Sequence, residues 1–306
     1  MNKNDWPNLF LIGAPKCGTT SMFNWLANHP EICASQPKET WFFCDQELKY
    51  LNIKPNHHHN DKADYLSYFK DINKLTKIKM EGSSHYLYSK PALKFLSKIS
   101  PKPKIIVQLR DPSTRIWSHF NYINQQAIYP IKISFSNYVD AILKKQTKTN
   151  YKFTNEPWPQ YLLENLLSYS NYQHHLHAWM NMFTKENIKI LILENLIQQK
   201  SNTLKDIAKW INIDSKFYEH FKFESKNVSK TRISQEIKRY FNPFKKFIPK
   251  STIYFSERVL DMMLTPFKVK QSEADKIALS KLADYFETPN QKLKNEFGLN
   301  IANWNH

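Results

Sequence analysis

The chain has 306 residues, of which 41% are hydrophobic and 14% aromatic, so it is long enough for one substantial domain with a buried core. Its 44 basic and 27 acidic residues give a formal net charge of +17. Such a charge favours a polyanionic partner, for example an acidic polysaccharide, a nucleic acid or an anionic membrane surface. The alternative is that much of this positive charge reflects a compositional bias toward Lys, Asn and Ile.

The cysteines indicate the redox compartment. Cys17, Cys33 and Cys44 are an odd and sparse set, which argues against a disulfide framework and favours a reducing environment. The first residues lead into an apolar strand without a signal region, and no run approaches the roughly 18 apolar residues of a membrane span. We therefore expect a cytoplasmic protein without a transmembrane segment, with a trimmed lumenal domain as the alternative.

The first element with chemical content is the loop at residues 13–21, Gly-Ala-Pro-Lys-Cys-Gly-Thr-Thr-Ser. It follows the apolar strand at residues 9–12 and precedes a segment with helical periodicity. A strand, a glycine turn and a helix N-terminus together form an anion site, because free N–H groups and the helix dipole point at one spot. Lys16 adds a full positive charge. The alternative is an ordinary turn with an exposed lysine.

This loop departs from the Walker A motif, which places lysine directly after the second glycine. Thr19 occupies that place, and Lys16 precedes Gly18 by two residues, which disfavours a kinase or NTPase. The segment Pro-Lys-x-Gly-Thr-Thr resembles the 5′-phosphosulfate loop of sulfotransferases that use 3′-phosphoadenosine 5′-phosphosulfate (PAPS). The resemblance implies that Lys16 also takes part in catalysis. It implies the following cofactor-binding residues: Lys16, Cys17, Gly18, Thr19, Thr20 and Ser21.

Two later segments resemble the heparan-type branch of this family. The segment Lys-Glu-Thr-Trp-Phe-Phe at residues 38–43 matches a Glu-x-x-Phe-Phe motif whose glutamate is the catalytic base, which implies that role for Glu39. Residues 81–86 fall where the family has Glu-Lys-Thr-Pro-x-Tyr. Gly82 replaces the lysine, so any contribution of that lysine to catalysis is absent or comes from another residue. His85 is the alternative base. The competing interpretations are a surface pair of Glu39 with Lys38 and a structural role for His85.

A second anion site is predicted after the apolar strand at residues 103–109. Arg110 comes at the carboxyl end of this strand, where open α/β sheets bind ligands, and Ser118 follows about two helical turns later. The pattern resembles the family's element for the 3′-phosphate, which implies that Arg110 and Ser118 hold that group. The planar fork of arginine suits phosphate oxygens. The alternative is a pair of Arg110 with Asp111.

The resemblance extends over nearly the whole chain. Residues 168–172, on a long helix predicted to end near Trp179, match a segment close to the cofactor and imply that Tyr172 contacts it. Lys230, Thr231 and Arg232 resemble the basic loop that closes over the nucleotide's phosphates. We expect residues of about 226–270 to form a lid or acceptor-side region. Aromatic and basic residues alternate at 239–247, a pattern that fits binding of sugars, lipid headgroups or single-stranded nucleic acid. The alternative is a helix that packs its aromatic side chains on the sheet.

The coarse pattern alternates strands with helices, which predicts a parallel sheet covered on both faces. The strands are predicted at residues 8–13, 31–34, 76–81, 103–110 and 187–194, with helices at 18–28, near 62–70, at 89–99, over 112–183 and beyond 194. We expect an α/β fold, a P-loop-like three-layer sandwich with a central, mainly parallel sheet. We expect residues 1–306 to form a single sulfotransferase domain.

The sequence thus predicts a PAPS-dependent sulfotransferase that moves the sulfuryl group to a hydroxyl or amine, with a carbohydrate as the expected acceptor and 3′-phosphoadenosine 5′-phosphate (PAP) as product. We expect no metal, since three adjacent histidines at residues 57–59 cannot all face one ion. The alternatives are a P-loop kinase or NTPase and a basic nucleic-acid-binding protein, although no nucleic acid is expected as partner. The sequence fixes neither the acceptor nor the oligomeric state.

Overall fold

The computed structural model describes residues 6–44, 62–126, 133–144, 152–153, 155, 157–223 and 271–304. The chain divides into two compact units. The first contains the described parts of Met1–Arg115, Ser168–Lys226 and Ala283–His306, and the second those of Ile116–Leu167 and Asn227–Leu282. The predicted lid at about 226–270 lies outside the described residues.

A five-stranded sheet forms the centre of the first unit. Its strands are β1 (Leu9–Gly13), β2 (Ile32–Ala34), β3 (Ile78–Glu81), β4 (Lys104–Leu109) and β5 (Ile188–Ile192). Their order is β2-β3-β1-β4-β5, and all four neighbouring pairs are parallel. In β1, Leu9 pairs with Met80 on one side and with Lys104 on the other. The predicted α/β class with a parallel sheet is confirmed.

The described helices are α1 (Thr19–Ala27), α2 (Lys62–Leu66), α3 (Lys90–Leu96), α4 (Pro112–Gln126), α5 (Phe135–Leu143), α6 (Pro157–Ser170), α7 (Tyr172–Met180), α8 (Leu193–Gln198), α9 (Lys200–Trp210) and α10 (Glu273–Phe297). Three predicted ends and one predicted continuous helix were wrong. The helix near 62–70 ends at Leu66, the helix at 89–99 ends at Leu96, and the strand over 187–194 ends where α8 begins at Leu193. The long helix ending near Trp179 is two helices, because Asn171 between them adopts a non-helical backbone with ψ of 75°.

Alternating side chains of the sheet supply two separate cores. In β1, Phe10 and Ile12 pack toward α3 and α7, whereas Leu9 and Leu11 pack toward α1, α8 and α9. All four side chains are buried, as is typical of parallel strands covered on both faces. This is the predicted three-layer sandwich.

The described part of the second unit is helical and has its own aromatic core. The rings of Phe120 and Phe135 lie 5.3 Å from each other, and each packs on Tyr138. The hydroxyl of Tyr138 donates to the carbonyl of Leu163 at 2.7 Å. None of the helices in the described ranges is long and apolar enough to cross a membrane.

Candidate functional site

The loop after β1 ends in a helix N-terminus that is open to an anion. Helix α1 begins at Thr19 with Gly18 as its N-cap, and no side chain among the described residues caps it. Gly18 has a φ of 81°, and a Cβ there would lie 2.7 Å from Leu193 Cδ1 and 2.8 Å from Gln108 Nε2. Position 18 therefore requires glycine. The first N–H groups of a helix have no intrahelical acceptor, so this end favours a negatively charged ligand.

Lys16 brings charge to the same loop at a cost in stability. Its φ of 68° lies in the left-handed region that lysine rarely adopts. Burial, and then the positive charge of Arg110, lower the pKa of Lys16 to about 8. Two cations close enough to repel each other, beside an open helix N-terminus, form a site that suits a polyvalent anion.

Strand β4 and the residues after it hold this loop in place. Gln108 accepts from Ala14 N at 2.6 Å through its carbonyl and donates to Cys17 O at 2.5 Å through its side chain. Arg115 is buried, and its Nε donates to Pro15 O at 3.0 Å. The loop geometry thus depends on β4 and on the first turn of α4.

Tyr172, predicted to contact the cofactor, links both anion-binding elements. Its hydroxyl donates to Arg110 O at 2.9 Å and lies 3.7 Å from Cys17 Sγ. Burial raises the pKa of Tyr172 well above its usual value and also raises that of Cys17, so both groups stay neutral. Cys17 is buried and its N–H donates to Ala14 O at 3.2 Å, which favours a structural role for it. A contact of Cys17 with the cofactor stays a prediction.

Glu39 follows β2 and is held by two neighbours. Its Oε1 accepts from Lys38 Nζ at 2.7 Å and from Ser84 Oγ at 2.9 Å, and its Oε2 accepts from Ser84 N at 3.1 Å. The pair of Glu39 with Lys38 is therefore present. The side chains of Glu39 and Lys38 are only 27% and 14% exposed, so this carboxylate is held in place rather than free on the surface.

A buried carboxylate anchors the segment that carries Glu39. Glu81, at the end of β3, accepts from Thr40 Oγ1 at 2.6 Å, from Ser83 Oγ at 2.5 Å and from Tyr65 OH at 2.5 Å. The same Ser83 Oγ accepts from the N–H groups of Thr40 and Trp41. Burial raises the pKa of Glu81, and the hydroxyl donors oppose that shift. The end of β3 thus sets the position of Glu39.

His85 occupies a buried aromatic environment beside this segment. Its ring lies 4.6 Å from that of Trp41 and 5.9 Å from that of Tyr88. Burial, and then the charges of Arg115 and Lys38, lower the pKa of His85 to about 3. A ring with so low a pKa is neutral at pH 7 and a weak proton acceptor, which favours the structural interpretation. A catalytic role for His85 stays a prediction.

The remaining predicted residues are placed only in part. Ser118 lies on α4 and belongs to the second unit. Lys230, Thr231 and Arg232 lie outside the described residues. Asp111, the alternative partner of Arg110, caps α4 by accepting from Thr114 N at 2.7 Å. Within the described ranges, no group of three or more potential metal ligands comes together.

The site lies at one edge of the sheet, because the carboxyl ends of parallel strands meet there. Lys16 follows β1, Glu39 follows β2 and Arg110 follows β4. Sequence reasoning named Lys38 only as a surface partner of Glu39, and it missed the supporting roles of Glu81, Ser84 and Arg115. For Ser84 a signal was available, since it follows a strand end. The buried Arg115 gave none.

Comparison with known proteins agrees with this geometry. A sequence profile described as a sulfotransferase domain matches residues 7–254. The chain is 26% identical over 232 residues to the bifunctional heparan sulfate N-deacetylase/N-sulfotransferase 1 of Caenorhabditis briggsae. This alignment covers 72% of the chain and 24% of that protein. It is 26% identical over 210 residues to the bifunctional heparan sulfate N-deacetylase/N-sulfotransferase 3 of Mus musculus. That alignment covers 68% of the chain and 22% of the mouse protein. The chain thus spans about a quarter of the length of these relatives.

The fold has solved counterparts. A sulfotransferase from Alicyclobacillus acidocaldarius superimposes with a TM-score of 0.58 at 19% identity, covering 78% of this chain and 92% of that one. This likeness concerns the fold, whereas the profile covers most of the sequence, including the loop after β1 and the strand that precedes Arg110. The chain belongs to the sulfotransferase domain family.

Proposed function

We propose that this protein transfers the sulfuryl group of PAPS to a hydroxyl or amine of a carbohydrate. The observation that carries the proposal is the convergence of Lys16 and Arg110 beside the open N-terminus of α1, where the charge of Arg110 helps to lower the pKa of Lys16. Such a site is complementary to a nucleotide with phosphate groups at two positions. The residues present therefore fit PAPS.

PAPS supplies the sulfuryl group, whose bond to the bridging oxygen breaks as the acceptor oxygen or nitrogen bonds to sulfur. Glu39 accepts the acceptor's proton through a carboxylate that Lys38 and Ser84 hold in place. Lys16 neutralises the charge that builds on the leaving phosphate, together with N–H groups at the start of α1. Arg110 holds the 3′-phosphate, supported by Tyr172.

A carbohydrate acceptor is supported by the two relatives, which are named as heparan sulfate N-sulfotransferases. The net charge of +17 suits an acidic polysaccharide. We also propose that both compact units belong to one sulfotransferase domain, because the profile match at residues 7–254 spans parts of each. A cytoplasmic location stays a prediction. It agrees with Cys17, Cys33 and Cys44 being free thiols.

We expect PAP to stabilise the protein without Mg²⁺, and ATP to do so much less. At a ligand concentration near 100 times Kd, the free energy of unfolding should rise by about 2.7 kcal/mol. Thermal melts with each nucleotide, with and without EDTA, measure this effect. If only ATP raised the melting temperature, and did so only with Mg²⁺, the result would favour a kinase. If only DNA raised it, the result would favour a nucleic-acid-binding protein.

Arg110→Ala is expected to weaken PAP binding and to leave adenosine 5′-phosphosulfate, which lacks the 3′-phosphate, almost unaffected. Losing a hydrogen bond to a charged group costs about 1.5–3 kcal/mol. Titration of both nucleotides against wild type and variant separates the two ends of the ligand. Arg110→Lys is the matched control, because it keeps the charge and loses the planar fork. Equal losses for both nucleotides would assign Arg110 to the fold or to another phosphate.

A further inference from the structure

Position 82 leaves little room for a side chain, because Phe23 and, less closely, Lys38 lie against it. Gly82 follows the last residue of β3 and is buried. A Cβ on Gly82 would lie 2.6 Å from Phe23 Cδ2 and 3.2 Å from Lys38 Cγ. A side chain at this position, such as the lysine implied by the family resemblance, therefore requires Phe23 to move and Lys38 to shift by a few tenths of an ångström. Glycine leaves both side chains where they are.

The ammonium group of Lys38 connects three segments of the site. Its Nζ donates to Gly82 O at 2.9 Å, to Glu39 Oε1 at 2.7 Å and to Thr19 Oγ1 at 3.5 Å. An ammonium has three N–H donors, so these acceptors match its capacity. Thr19 is the first residue of α1, and therefore the cation lies between the Glu39 carboxylate and the phosphate loop.

The backbone fixes Lys38 as firmly as its side chain does. Gly82 N donates to Lys38 O at 3.2 Å, and Ser35 Oγ donates to the same carbonyl at 3.2 Å. Lys38 and Gly82 thus hold each other by two hydrogen bonds. The Lys38 side chain is only 14% exposed, and its Nζ lies 5.9 Å from the centre of the Phe23 ring. An exposed ion pair has neither this confinement nor this number of partners.

We propose that Lys38 is a positioning residue for sulfuryl transfer, which supplies from the segment after β2 the cation that position 82 lacks. It holds the Glu39 carboxylate in one orientation and fixes its distance from the phosphate loop through Thr19. Gly82 makes the arrangement possible, since its carbonyl is the third acceptor and its missing side chain leaves the path open. This inference rests on the proposed function and adds a residue to it.

The test compares Lys38→Met, which keeps most of the side-chain length, with Lys77→Met as control. Lys77 also pairs with a glutamate, Glu31, but near the start of β3 and with its side chain 59% exposed. Misplacing a catalytic group by about 1 Å costs roughly 10²-fold. We expect kcat of Lys38→Met to fall by about 10- to 100-fold, on the scale of such a misplacement, with the Kd of PAP almost unchanged. Lys77→Met should resemble wild type.

Chemical rescue separates positioning from a structural role. In Lys38→Ala the missing atoms correspond to n-propylammonium, so this cation should restore part of kcat, whereas neutral n-propanol should not. Near-normal kcat in Lys38→Met, or a loss of kcat that follows a fall in melting temperature and is not rescued, would overturn the inference. A wild type without any PAPS-dependent transfer would instead refute the proposed function, and this inference with it.

Discussion

Replacing Glu39 by glutamine is expected to lower kcat by about 10²–10⁴-fold, the usual contribution of general acid–base catalysis. The amide keeps the size of the side chain and an acceptor for Ser84 N, which Glu39 Oε2 engages at 3.1 Å. It cannot take the acceptor's proton in the transition state. The Kd of PAP should stay within a few-fold, because Glu39 is not among the groups that hold the nucleotide. Sulfate transfer to a panel of glycans, paired with PAP titration, measures both quantities.

The matched control for this variant is Glu31→Gln. Glu31 is also paired with a lysine, Lys77, and accepts from Asp214 N at 2.7 Å, but it precedes β2, at the opposite end of the strand from Glu39. Its change should leave kcat near that of wild type. Near-normal turnover in Glu39→Gln would remove Glu39 from the mechanism. His85 would then need testing, although its pKa of about 3 makes it a weak base.

Lys16→Met is expected to reduce both kcat and affinity, in contrast to the change at Glu39. Removing one preorganised group that stabilises developing charge typically costs about 10²–10³-fold in kcat. The Lys16 ammonium also binds the anionic donor before the reaction, so its removal should raise the Kd of PAP as well. Methionine has a Cβ like lysine and therefore keeps the backbone penalty at φ 68° unchanged. A variant that lost only affinity would assign Lys16 to ground-state binding.

The same residue gives the free enzyme a characteristic pH dependence. The pKa of Lys16 is lowered to about 8, so its charge is present below that pH and is lost as the pH rises above it. An anionic ligand favours the charged form, so the affinity for PAP should fall by up to about tenfold per pH unit above pH 8. Lys16→Arg should flatten this dependence, because guanidinium stays protonated. A wild-type affinity that is constant between pH 7 and 9.5 would contradict it.

The strands and the turn that leads into α1 could be predicted from the sequence because both depend on local patterns. The apolar run before Gly13 and the run before Arg110 mark β1 and β4, and the glycine spacing marks the turn into α1. The contacts that orient Glu39 could not be predicted. Ser84 lies 45 residues from Glu39 in sequence, and the hydrogen bonds of Glu81 depend on how β2 and β3 pair. Long-range contacts of this kind follow from packing, which no local pattern reports.

The left-handed backbone conformation of Lys16 means that a residue proposed for activity lowers the thermal stability of the protein. A non-glycine residue in this conformation costs roughly 1–2 kcal/mol, and the burial of its charge beside Arg110 adds to the penalty. Glycine at position 16 would relieve both. Directed evolution that selects for thermal tolerance alone should therefore enrich glycine at this position and yield robust but inactive proteins. Selection of this enzyme for industrial use needs a turnover assay in every round.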